Sequence, residues 1–156
     1  MNAQLDIWVL LFIAAAAQGY FLFFLLLTNQ RKKRNNNGFL AALVLIFTVT
    51  LSYYITFWTG VNSTLPSALG VIMYFTLLFG PFLIGYVFKV KNGRLPRRWK
   101  WHFIPFSLAL ILFINFELDL ITPTESQAAS IRRGVLVIQI AQLLFYALWA
   151  IRVTYQ

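Results

Sequence analysis

Few side chains in this sequence could take part in acid–base or metal chemistry. His102 is the only histidine, there is no cysteine, and only four residues are acidic. A zinc site takes three or four ligands rich in nitrogen or sulfur, which one histidine without cysteine cannot supply. Glu117 and Asp119 are the closest carboxylates, but on a helix they would lie about 200° apart around the axis. We therefore predict no enzyme activity, no metal site and no cofactor.

Three glutamines within apolar segments are the other candidates for binding chemistry. Gln139 and Gln142 stand three residues apart, so they share one face of a helix. Hydrogen bonds between membrane helices contribute about 0.6 to 2 kcal/mol, which favours helix packing as their role. The alternative is a solute site that these two residues form with Gln18. No lysine, arginine or acid lies deep within an apolar segment, which argues against a proton relay or ion path.

The composition indicates the elements that position these residues. The chain has 156 residues, of which 60% are hydrophobic and 11% charged, and its mean hydropathy is +0.74. A soluble domain has about a quarter of its residues charged. Apolar segments near 20 residues, the length of a membrane-spanning helix, cover approximately residues 7–28, 39–59, 68–88, 101–121 and 134–153. We predict an all-α integral membrane bundle of five transmembrane helices, formed by a single domain (1–156) without a soluble domain.

The cations predict the orientation of these helices. They concentrate in the loops after the first and third spans: Arg31, Lys32, Lys33, Arg34, Lys89, Lys91, Arg94, Arg97, Arg98 and Lys100. Lysine and arginine stay on the cytoplasmic side, so the N-terminus is expected outside and the C-terminus inside. The same cations are expected to contact anionic lipid headgroups, each contributing about 1 kcal/mol. A nucleic-acid patch is disfavoured, because the first run lies against the membrane and has no interleaved aromatic residues.

Arg132 and Arg133 break this alternation of charge. Thr122, followed by Pro123 and by Glu125 three residues after it, is typical of a helix start. A helix from there to Val153 has about 31 residues and exceeds the roughly 30 Å bilayer core by about half. Its first turns are therefore expected to protrude outside, where both arginines can reach water.

Local signals add three expectations. In "LLFGPFLIGY", Pro81 cannot donate to the carbonyl of Leu77, so we expect a kink beside Gly80. A packing kink is the simpler interpretation, and a signalling hinge is the alternative. Ala15 and Gly19 form a small-xxx-small pair that allows close approach of another helix. Trp99, Trp101 and His102 are expected at the membrane interface, as anchors of the fourth span.

Four segments carry a resemblance to one family. They are "AAQGYFLFFLLLTNQRKKRNNNGFLAALVLIF", "LLFGPFLIGYVFKV", "WHFIPFSLALIL" and "IAQLLFYALWAIRVTYQ". In this order they resemble the N-terminal membrane domain of membrane-anchored AraC-type bacterial transcription regulators. That domain has seven spans and precedes a cytoplasmic helix-turn-helix domain, whereas this sequence reaches Gln156 after its fifth span. The resemblance implies a sensory or anchoring module of the bacterial cytoplasmic (inner) membrane, truncated or encoded as a split gene.

The expected partners follow from this assignment. They are the lipid bilayer, a second copy of the chain, or a DNA-binding domain encoded downstream. This chain itself is not expected to bind nucleic acid. Two other functions remain open: a small transporter or channel subunit with its solute between helices, and a structural or assembly protein without a ligand.

Overall fold

Five α-helices dominate the computed structural model, which describes residues 7–28, 37–118 and 124–155. They are α1 (Ile7–Thr28), α2 (Asn37–Trp58), α3 (Phe79–Asn92), α4 (Ile104–Glu117) and α5 (Glu125–Tyr155). Three 3₁₀ segments complete the described elements: Val61–Thr64, Ser67–Leu78 and Trp99–Phe103. The chain divides into two compact units, Met1–Thr76 and Leu77–Gln156.

Five helical segments are long and apolar enough to cross a membrane, as the sequence predicted. They are Ile7–Thr28, Asn37–Trp58, Leu69–Asn92, Trp99–Glu117 and Arg133–Tyr155. Large apolar side chains remain exposed on them, including Phe21 (69%) and Leu148 (67%). So much exposed apolar surface is suited to lipid rather than to water. The cations Arg31, Lys32, Lys33 and Arg34 lie outside the described residues.

The third span is not the single kinked α-helix that the sequence predicted. Its first part is a 12-residue 3₁₀ helix, and the chain becomes α-helical at Phe79, two residues before Pro81. Runs of 3₁₀ helix longer than three or four residues are uncommon. The α-helical part has fourteen residues, extends about 21 Å at about 1.5 Å per residue, and carries Lys89 and Lys91 in its last turn.

The fourth span begins and ends earlier than predicted. Its first five residues are 3₁₀ and the next fourteen α-helical, which together extend about 31 Å and just match a bilayer core. α4 ends at Glu117, where the N–H of Leu118 donates to the carbonyl of Ile114 at 2.9 Å. Asp119 lies outside the described residues. Trp101 is 68% exposed, as an interface anchor would be, whereas Trp99 is half-buried.

α5 has 31 residues, the length that the sequence predicted, but its start is displaced. Thr122 and Pro123 lie outside the described residues, and Glu125 is the first helical residue rather than the third after the cap. The side-chain oxygen of Gln127 accepts a hydrogen bond from the N–H of Thr124 at 3.0 Å. This is one half of a capping box, so the helix start uses Thr124 and Gln127, two residues later than expected.

In the first unit, α1 packs on α2 through one seam. The residues of α1 that are buried or half-buried follow alternating spacings of three and four: Val9, Phe12, Ala16, Gly19, Phe23 and Leu26. This is the spacing of a coiled-coil seam, and all other described α1 residues are exposed. The rings of Phe12 and Trp58 lie 4.6 Å apart, so the two helices run antiparallel.

Gly19 is the point of closest approach in this seam. A Cβ atom added to Gly19 would lie 2.1 Å from Oγ1 of Thr48, a residue that is only 1% exposed. Thr48 donates to the carbonyl of Val44 at 2.7 Å and so satisfies its hydroxyl within α2. The sequence prediction is right for Gly19 and wrong for Ala15, which is exposed, because Ala16 takes the seam position.

In the second unit, α3 and α5 run parallel. Contacts with α5 proceed in the same order along both segments, from Leu77, just before α3, with Gln142 to Phe88 with Trp149. At the far end the Lys91 ammonium donates to the carbonyl of Val153. A cation at this position also interacts favourably with the negative end of the α5 dipole.

Candidate functional site

The second unit contains a cluster of polar contacts around the break in the third span, which we name the Pro81 cluster. Its members are Leu77, Gly80, Pro81, Trp99, His102, Gln142 and Tyr146. They come from the third span, the 3₁₀ segment before α4, and α5.

Pro81 removes one α-helical hydrogen bond at the break. A proline has no N–H, so the carbonyl of Leu77, four residues earlier, has no α-helical donor. Gln142 supplies one from α5, because its side-chain Nε2 donates to this carbonyl at 2.8 Å. Leu77 is 2% exposed, and an unpaired carbonyl buried there would cost about 1 to 3 kcal/mol. The other amide atom, Oε1 of Gln142, is buried without a hydrogen-bond partner among the described residues.

Gly80 lets α5 approach the break. A Cβ atom added there would lie 2.1 Å from Cδ2 of the Tyr146 ring and 2.4 Å from Cε2. Such distances are far below van der Waals contact, so only glycine fits beneath this ring. Tyr146 is 5% exposed and stands four residues after Gln142, on the same face of α5. One helix turn of α5 therefore covers both the Leu77 carbonyl and Gly80.

The 3₁₀ segment before α4 contributes two further hydrogen bonds. The Tyr146 hydroxyl and Nδ1 of His102 are 2.7 Å apart. The indole Nε1 of Trp99 donates to the carbonyl of Pro81 at 2.9 Å. The rings of His102 and Trp149 lie 5.3 Å apart. His102 and Trp99, which the sequence predicted as interface anchors, thus join the fourth span to its neighbours within the unit.

The cluster is suited to holding helices in register rather than to bond-making chemistry. Its hydrogen bonds involve no lysine, arginine or acidic side chain, and its only titratable side chains are those of His102 and Tyr146. Within the part of the chain that the structure describes, no three histidine, cysteine or acidic residues gather as they would around a metal ion.

The glutamines predicted as solute ligands have different surroundings. Gln142 is engaged with Leu77, and Gln139 is half-buried one turn before it on α5. Gln18 is exposed on α1 in the first unit. Gln142 takes part in the Pro81 cluster.

The predicted hinge pair, Gly80 and Pro81, lies at the change of helix type, and both residues are buried. Sequence reasoning missed Tyr146 as their partner. A signal for it was present, because Gln142 and Tyr146 are the polar residues one turn apart in the middle of α5. The Leu77 carbonyl loses its α-helical donor at Pro81 and needs another one. That requirement could have indicated the face of α5 that carries Gln142 and Tyr146.

Comparison with protein-family models, with curated proteins and with solved structures finds no match for this chain.

Proposed function

We propose that this chain is the membrane-embedded sensory or anchoring module of an AraC-type transcription regulator. The observation that carries the proposal is the Pro81 cluster. Three of the four segments that resemble the family contribute to it: "LLFGPFLIGYVFKV" through Gly80, "WHFIPFSLALIL" through His102, and "IAQLLFYALWAIRVTYQ" through Tyr146. The resemblance therefore falls on residues that contact one another, not only on apolar residues that any membrane helix would contain.

The cluster supplies a physical route for a signal. A stimulus that changes the break at Pro81 must displace Gln142 or Tyr146, because both contact it directly. α5 carries the displacement along its length to Val153, where Lys91 holds its last turn. A reader domain that follows α5 in a longer or partner polypeptide would receive this motion.

The proposed location is the bacterial cytoplasmic membrane, with the N-terminus outside and the C-terminus inside. The distribution of cations supports this orientation. The parallel course of α3 and α5 supports the alternation of spans, because the third and fifth of five consecutive spans must run in the same direction. The proposed partners are the bilayer and either a further copy of the chain or a cytoplasmic DNA-binding domain encoded downstream.

A transporter or channel subunit is the second candidate function. One observation favours it, namely that Oε1 of Gln142 is buried without a described partner and could accept a hydrogen bond from a solute. One of the two N–H donors of the same side-chain amide is committed to the Leu77 carbonyl.

The test compares transcripts in the source organism, with the gene in its native reading frame. We expect deletion to change a defined set of transcripts and Gln142→Leu to change the same set. Gln18→Leu is the matched control, because Gln18 is exposed on α1, and it should leave those transcripts unchanged. A deletion without any transcript change would refute the regulator proposal. Solute flux through vesicles containing the purified chain, lost in Gln142→Leu, would support transport instead.

A further inference from the structure

An open cavity of about 610 Å³ lies where α3 ends and the following loop begins. It is lined by Phe88, Asn92, Arg94, Leu95, Pro96 and Arg97. Sites for small molecules and cofactors occupy about 300 to 1,000 Å³, so this cavity is large enough for a ligand. None of these lining residues belongs to the Pro81 cluster.

The local backbone explains how two arginines reach one cavity. Gly93 has φ of 70°, a left-handed conformation that ends α3, and its N–H donates to the carbonyl of Lys89 at 3.1 Å. The chain turns there. Pro96 lies between Arg94 and Arg97, and its ring fixes its own φ angle. Both arginine side chains are exposed and line the cavity from the two ends of this short loop.

The charge around the cavity is strongly positive. Residues 89–100 contain six lysines and arginines, and the sequence has no acidic residue between Asp6 and Glu117. The C-terminus of α3 carries a partial charge of about −0.5, which is small beside the two guanidinium charges in the cavity wall. The cavity therefore attracts anions.

We propose that this cavity binds the phosphate group of an anionic ligand, with Arg94 and Arg97 as its ligands. Guanidinium groups pair with phosphate through two parallel N–H donors, a geometry that a lysine ammonium cannot offer. The side-chain amide of Asn92 provides a further donor at the wall. Phe88 and Leu95 form an apolar side, which suits a group that carries carbon next to its phosphate.

A phospholipid headgroup and a free phosphate share this chemistry. The position of the cavity favours the headgroup, because it opens at the end of a span, beside Lys89 and Lys91 in the last turn of α3. Trp101, 68% exposed in the next segment, is of the residue type that marks headgroup depth. This inference does not depend on the proposed function, since any protein with these spans would present the site to lipid.

The experiment titrates phosphatidylglycerol, phosphatidylcholine or inorganic phosphate into the delipidated full chain in a neutral detergent, with native mass spectrometry as the readout. The test variant is Arg94→Gln with Arg97→Gln. The matched control is Arg98→Gln with Lys100→Gln, which removes the same charge from the residues that follow the loop, outside the cavity wall. Circular dichroism establishes that both variants keep the helix content of the wild type.

We expect phosphatidylglycerol to bind the wild type, and the cavity variant to bind it at least on the order of tenfold more weakly, because two charge-assisted contacts are lost. The control should change by about twofold or less, as expected for screened exposed charges. Binding of inorganic phosphate with the same dependence on Arg94 and Arg97 would support the site and identify a soluble source. Equal loss in both variants, or no loss in either, would overturn the proposal. A cavity variant that loses helix content is replaced by Arg94→Lys with Arg97→Lys, which keeps the charge and should still weaken binding.

Discussion

Replacing Gln142 by leucine removes the donor that serves the proline-freed carbonyl of Leu77. The unpaired carbonyl costs about 1 to 3 kcal/mol, whereas hydrogen bonds between membrane helices contribute about 0.6 to 2 kcal/mol. Part of the loss is offset, because leucine also removes Oε1, a buried acceptor without a described partner. We therefore expect Gln142→Leu to lower the free energy of unfolding by about 1 to 2 kcal/mol.

The same substitution in a Pro81→Ala background separates this explanation from a general packing defect. Alanine restores an N–H four residues after Leu77, so the carbonyl regains a donor within its own helix. In this background Gln142→Leu should lower the free energy of unfolding by a smaller amount than in the wild type. The difference, which is the coupling energy of the double-mutant cycle, should be about 1 kcal/mol. The difference between the two backgrounds, rather than either single cost, is the decisive quantity.

The assay is reversible unfolding of the full chain in mixed micelles with a rising fraction of sodium dodecyl sulfate, followed by circular dichroism. Gln18→Leu is the control, since Gln18 is exposed on α1 and should change the unfolding free energy by less than about 0.5 kcal/mol. Equal costs of Gln142→Leu in the wild-type and Pro81→Ala chains would refute the donor argument.

Three further predictions concern the helix contacts and the orientation. Gly80→Ala should lower the free energy of unfolding by more than about 2 kcal/mol, because the new Cβ meets the Tyr146 ring. Gly134→Ala in α5 is the control, since no described atom lies within 4 Å of its added Cβ. It should raise the free energy of unfolding by up to about 1 kcal/mol. Comparable effects of the two in the same unfolding assay would contradict the packing at Gly80. Gly19→Ala should likewise destabilise the chain by about 1 to 3 kcal/mol, because the new Cβ meets Thr48 Oγ1. Adding Thr48→Ala to this variant should recover much of the lost stability. No recovery would show that the contact with Thr48 Oγ1 is not the cause of the loss. Reporter fusions after Asn36, Ser63, Asn92, Ser126 and Gln156 should report cytoplasmic, external, cytoplasmic, external and cytoplasmic positions, and an external Asn92 would reverse the proposed orientation.

The existence of the five spans could be predicted from the sequence because length and apolarity are local properties. The limits of the fourth and fifth spans differ from the predicted ones. Trp99 to Phe103 form a 3₁₀ turn that lengthens the fourth span at its start, and hydropathy does not distinguish this turn from a preceding loop. The predicted start of α5 was Thr122, and the observed start is at Thr124. Both threonines are followed three residues later by a suitable capping partner, Glu125 and Gln127 respectively, so the sequence does not distinguish them.

The candidate site was predictable in part. Pro81 indicated that one carbonyl would lack its donor, and Gln142 was recognised as a helix-packing residue. Their pairing joins positions 65 residues apart, which no local pattern specifies. The 3₁₀ helix before Pro81 could not be predicted either, because no local pattern in its apolar sequence distinguishes a 3₁₀ helix from an α-helix.

The sequence by itself determined an all-helical chain with five apolar spans, because the apolarity of each side chain is a property of that residue alone and does not depend on its neighbours in space. It also determined that one carbonyl near Pro81 would need a donor from elsewhere, since proline has none to give. Only the tertiary structure decided that Gln142 is this donor and that Tyr146 packs on Gly80. It likewise brought Arg94 and Arg97 to one cavity. These outcomes depend on the direction and register of packed helices and on the course of a loop, which arise from many contacts together.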